Sequence, residues 1–97
     1  MAAYVVADVE VHDPDAYEEY KRLVPSSLEK YGGRFLVRAG KWERLEGTWE
    51  PRRLVVLEFP SLEQARLWYE SEEYREAKEI RQRLATADLL LVEGVPA

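Results

Sequence analysis

The amino-acid sequence predicts an α+β domain in the order β-α-β-β-α-β, a four-stranded antiparallel sheet with its helices on one face. Three observations carry this. The chain opens on a strict alternation of apolar and other residues. Two later stretches repeat apolar residues every three or four positions. Further short apolar runs are bounded by glycine or proline. With 97 residues, 46% of them hydrophobic and 34% charged, residues 1–97 make a single domain with a small core.

Each element has its own signal. Residues 3–11 alternate, with Ala3, Val5, Ala7, Val9 and Val11 on one side, as a half-buried strand requires. Asp13 is a good N-cap and Pro14 suits the first helical position. Tyr17, Tyr20, Leu23, Val24, Leu28 and Tyr31 then form one apolar stripe. Pro25 interrupts that stripe, and a kink or break is expected near Val24. Gly32-Gly33 ends the helix. Arg34 to Gly40 reads as a second strand with Phe35, Val37 and Ala39 on one face. Lys41 to Pro51 is a long connection, and Arg52 to Phe59 a third strand stopped by Pro60. Ser61 and Gln64 make a capping box for a second helical region through Leu62, Ala65, Trp68 and Tyr69. Ser71, followed by Glu72 and Glu73, is a fresh N-cap, so this region divides in two, the later segment carrying Tyr74, Ala77, Ile80 and Leu84. Asp88 to Val95 supplies the last strand.

This order is the ferredoxin-like split βαβ pattern, in which the first and third strands lie at the sheet centre. The helices cover one face only. The other face would carry Tyr4, Val6, Leu54 and Val56, too apolar to be left in water. The expectation is a homodimer through the open sheet face, two sheets back to back as a dimeric α/β barrel.

Composition removes several function classes. The net charge of −5 argues against nucleic acid, which selects a dense basic surface. The third strand, Arg53-Leu54-Val55-Val56-Leu57-Glu58-Phe59, also lacks the stacking aromatics of RNA-recognition domains that share this element order. There is no cysteine, hence no disulfide, thiolate nucleophile or Cys-held iron–sulfur cluster. No ligand spacing points to a metal, and no cofactor is expected. No apolar run approaches the ~18 residues of a bilayer span, and no leader pattern follows Met1, so a cytoplasmic protein is expected. Asparagine is absent and arginine outnumbers lysine, a composition like that of heat-adapted proteins.

The segments Glu29-Lys30-Tyr31-Gly32-Gly33-Arg34-Phe35, Glu58-Phe59-Pro60-Ser61, Trp68-Tyr69-Glu70-Ser71-Glu72-Glu73-Tyr74, Arg81 and Val92-Glu93-Gly94 together give the chain a family likeness. It resembles domain-of-unknown-function family 1330, within the dimeric α/β-barrel superfamily. The resemblance implies a homodimeric ferredoxin-like barrel and no particular reaction. Related families include cofactor-free monooxygenases, haem-degrading proteins and small isomerases, which tend to hold a ligand between sheet and helices.

Candidate catalytic residues are Glu58, Arg81 and His12. Glu58 sits late in a central strand, where burial would raise its pKa towards that of a general base; the alternative is a structural ion pair with Arg34, Arg38 or Arg81. Arg81 could clamp a carboxylate or enolate, or else pair with Glu58 or Glu93. His12, at a strand end, titrates near neutrality and could shuttle a proton; a solvated turn histidine is the plainer role. Candidate ligand-binding residues are Trp68, Tyr69, Tyr74, Ser71 and Tyr20, aromatic walls and hydroxyls around the break between helical segments; for Trp68 core filling competes, and for Ser71 capping. The reading is a small-molecule-binding homodimer, with cofactor-independent enzyme activity of monooxygenase or isomerase type at its cleft. A non-catalytic dimeric interaction or regulatory module is the alternative.

Overall fold

The computed structural model describes residues 1–96. Its elements are β1 (Ala3–Val11), α1 (Pro14–Glu29), β2 (Arg34–Arg38), β3 (Leu54–Phe59), α2 (Leu62–Tyr69), α3 (Glu72–Leu84) and β4 (Ala85–Glu93). The four strands form one antiparallel sheet in the order β2-β3-β1-β4, so β1 and β3 are central, as the split βαβ pattern requires. The inward side chains of β1 alternate with its outward ones, and Ala3, Val5, Ala7 and Val9 are buried beneath the helices.

The caps act as the sequence indicates. Asp13 accepts from the Ala16 N–H, Ser61 from Gln64 and Ser71 from Tyr74, each satisfying a helix donor that has no partner within its own helix. Gly32 takes φ +72° after α1, and a Cβ on Gly33 would lie 2.6 Å from the Phe59 ring, so the chain turns closely over the core there. Beyond the turn, Glu73 accepts from Lys30 at 2.7 Å and from the Tyr31 hydroxyl at 2.8 Å, tying the end of α1 to the start of α3.

Four boundaries differ from the sequence-based expectation, each for a local reason. First, α1 runs unbroken through Pro25. The proline ring leaves the Lys21 carbonyl without its helical donor, and Arg38 Nη2 supplies one at 2.9 Å. Second, β2 ends at Arg38, because Ala39 turns into the left-handed region at φ +58°. A bulge between Phe35 and Val37 also inverts the alternation, so Val37 pairs with outward-facing Val56 while Arg38, opposite Val55, faces the helices. Third, β3 starts at Leu54, since the Arg52 N–H bonds the Asp8 carboxylate instead of a strand partner. Fourth, α3 passes straight into β4 at Ala85 and β4 ends at Glu93, so the strand lies earlier at both ends than the expected Asp88 to Val95, with the His12 N–H on the Leu84 carbonyl at its start.

The core lies between sheet and helices: Val5, Val24, Leu28, Leu57, Phe59, Ala65, Trp68, Tyr74 and Ala77 form one cluster, and Ala7, Val9, Tyr17 and Ala85 a second beside it. The far face is different. Val37, Val56, Val6 and Leu90 lie in register across all four strands, followed by a row of Arg34, Glu58, Tyr4 and Val92. Leu90 is 69% exposed on this face. Among the described residues no helix is long and apolar enough to cross a membrane.

Candidate functional site

The two periodicities meet under the middle of α1. Inward β1 and β3 side chains floor a cleft, Tyr17, Tyr20 and Val24 of α1 wall it, and Trp68, Tyr74 and Arg81 close the side formed by α2 and α3. Tyr74 is the hub. Its ring stacks on Trp68 at a centroid distance of 4.0 Å, its hydroxyl lies 2.8 Å from that of Tyr20, and Arg81 Nε donates to the same hydroxyl at 3.3 Å. Tyr17 stacks on Tyr20 at 4.9 Å. Trp68 is anchored in turn, its indole N–H donating to Ser27 Oγ at 3.0 Å.

Of the residues singled out in the sequence, Arg81, Tyr74, Tyr20 and Trp68 converge here. Ser71 supports them from behind, accepting from the Tyr74 N–H at 3.1 Å and donating to the Trp68 carbonyl at 2.7 Å. Tyr69 lies across the same aromatic group, 6.2 Å from Tyr74, but its ring is partly exposed under Lys78. The two other catalytic candidates lie elsewhere. Glu58 is on the far face of the sheet, opposite Tyr4, and accepts from Arg34 Nη2 at 2.6 Å. His12 is exposed at the end of β1, with Nε2 2.8 Å from the Thr86 hydroxyl. Arg81 pairs with neither Glu58 nor Glu93; its partner is a tyrosine.

Three further cleft residues were not singled out in the sequence. Arg53 shares strand parity with Val55 and Leu57, a signal that counting by twos would have found. Arg38 reaches the cleft only through the bulge, for which the sequence carries no clear mark. Lys21 lies one residue after Tyr20 and lines the rim, 3.1 Å from Glu18.

Burial sets the proton chemistry. It pushes the Tyr17 phenol up to about 12. Burial, followed by the neighbouring Tyr74, pushes the Tyr20 phenol well above its ordinary range. Both therefore keep their protons near neutrality and act as hydrogen-bond donors or acceptors, not as bases. The folded state holds these protons where an unfolded chain releases them near pH ~10. Between that value and about 12 the native protein binds more protons than the unfolded one, so stability falls as pH rises. Urea denaturation should show a midpoint that is level below about pH 9 and drops through about pH 11. Tyr20→Phe should make that drop shallower; an unchanged alkaline drop would show that Tyr20 is not the group responsible.

Several solved structures share this fold. The chain is 21% identical to a protein of unknown function, RPA0582, from Rhodopseudomonas palustris, with a TM-score of 0.75 over 99% of this chain and 84% of that one. It is 14% identical to SnoaB, a cofactor-independent oxygenase from Streptomyces nogalater, with a TM-score of 0.66 over 99% and 95%. A provisionally assigned antibiotic biosynthesis monooxygenase from Nitrosomonas europaea is 17% identical, with a TM-score of 0.61 over 99% and 100%. A search of curated proteins finds no match. At these identities the structural likeness speaks for the ferredoxin-like fold. The family likeness is more specific, because residues 2–95 match the model of the domain of unknown function DUF1330, and the chain belongs to that family.

Proposed function

We propose that the protein is a cytoplasmic homodimer that binds a small organic ligand in the cleft between sheet and helices, one cleft per copy. The observation that carries this is the convergence of Arg81, Tyr74 and Tyr20 on a hollow with an apolar strand floor, which Lys21, Arg38 and Arg53 also border. The dimer rests on the uncovered row Val37-Val56-Val6-Leu90, whose natural complement is the same row on a second copy.

Binding is favoured over side-chain acid–base catalysis because, among the described residues, no carboxylate or imidazole lines the hollow, and its buried tyrosines hold their protons. The second reading is a cofactor-independent enzyme of the monooxygenase or isomerase kind. It draws on the fold shared with SnoaB and on a donor array able to hold a developing oxyanion. A thermal-shift screen of small carboxylates, quinols and haem tests the proposal. A cleft ligand should raise the melting temperature in wild type and much less in Tyr74→Phe. If no compound of any class stabilises the protein, the non-catalytic interaction module stands instead. Oxygen uptake with a stabilising quinol would favour the enzyme.

A further inference from the structure

We propose that the ligand of this cleft is an organic monoanion, a carboxylate on a short aryl or alkyl body, with its acid group held by Arg81 and Tyr20. This rests on the small-molecule reading of the cleft and names the ligand's class.

The charge distribution around the cleft is opposite to that of the protein. The chain carries a net charge of −5, yet Lys21, Arg38, Arg53 and Arg81 line the inner hollow and, among the described residues, no Asp or Glu does. Arg81 is the most telling of them, only 6% exposed and without a carboxylate partner among the described residues. The residue is largely withdrawn from water, but its unbonded nitrogens keep solvent contact, since no fully buried side-chain nitrogen lacks a partner among the described residues, and an incoming anion would take the place of that water. Its Nε is taken by Tyr74, while its two terminal amino groups make no hydrogen bond among the described residues. Those two groups are spaced to meet both oxygens of one carboxylate. With the Tyr74 oxygen accepting from Arg81, the Tyr74 hydroxyl can donate to the Tyr20 oxygen, leaving the Tyr20 O–H to donate to the ligand.

Size supports a head-inward pose. The inner hollow offers only ≈ 40 Å³, enough for an acid group and no more. It shares Val9, Tyr17, Lys21 and Arg53 with an outer hollow of ≈ 380 Å³, which Val11, Pro14 and Ala39 also border together with the Glu10–Arg52 ion pair. The apolar body lies outward there.

Calorimetric titration of benzoate against benzamide, equal in shape and different in charge, tests the inference. Wild type should bind benzoate at least about tenfold more tightly. Arg81→Gln should abolish that preference, whereas Arg75→Gln, which removes a cation from the exposed side of the same helix, should retain it. Should Arg81→Gln fail to fold, Tyr20→Phe decides, since it keeps the ring and should narrow the preference by at least about threefold. Benzamide binding as tightly as benzoate would overturn the inference, as would a preference unmoved by Arg81→Gln or, where that variant does not fold, by Tyr20→Phe. So would neutral compounds stabilising the protein while benzoate does not. Failure of every compound, charged or neutral, would overturn the small-molecule reading itself.

Discussion

Val56→Lys will convert the proposed dimer to a monomer at micromolar concentration. Val56 sits on central β3 in the outward row, between Val37 and Val6. In a two-fold interface the substitution appears twice, so two unpaired ammonium groups would be buried in a layer meant to be dry. Desolvating an unpaired charge costs several kcal/mol, and each lost apolar contact about 1.5–3 kcal/mol. The dissociation constant should therefore rise by at least about a thousandfold. Leu90→Ala, on the edge strand, should weaken the dimer by a smaller step. Sedimentation velocity reads both. A Val56→Lys protein that remains folded and dimeric would place the subunit contact elsewhere. Benzoate binding should survive in the folded monomer, because the cleft lies on the other side of the sheet.

Trp68→Ala will cost about 3–5 kcal/mol of stability, a large share of what a domain of this size possesses. Trp68 is 1% exposed, stacks on Tyr74 at 4.0 Å and on Phe59 at 5.3 Å, and spans the gap between helices and sheet. The Ser27 hydroxyl keeps its bond to the Val24 carbonyl, so the loss is mainly packing and cavity. Thermal unfolding should show a fall of about 15 °C or more. Trp68→Phe, which keeps one aromatic ring but loses the indole N–H bond and part of the ring volume, should cost less, about 1–3 kcal/mol. A Trp68→Ala protein with near-native stability would mean that this ring walls an open site and does not anchor the core.

The fold was legible because its signals are local. Alternation in residues 3–11 placed β1, and Asp13, Ser61 and Ser71 marked three helix starts that the structure reproduces. Pro25 misleads when read locally, because the remedy for its missing N–H comes from Arg38 on another element. The site was legible in part, for the same reason. Tyr20, Tyr74 and Arg81 advertise themselves as polar tips on apolar stripes. Arg38 reaches the cleft through a bulge that reverses strand parity, whereas Glu58 shares parity with Leu54 and Val56, so counting by twos already put it on the bare face and away from the cleft. Outward Leu54 and Val56 are as apolar as inward Val55 and Leu57, which is also why that face calls for a partner.

The central claim is a division of labour between the two sheet faces: ligand on the helix side, second copy on the bare side. Its most direct test is to map resonance shifts in isotopically labelled protein while benzoate is added. Changes should centre on the Arg81 side chain, Tyr20, Tyr74 and Val9, with Tyr4, Val6, Val56 and Leu90 undisturbed. Shifts concentrated on those last four residues would contradict it.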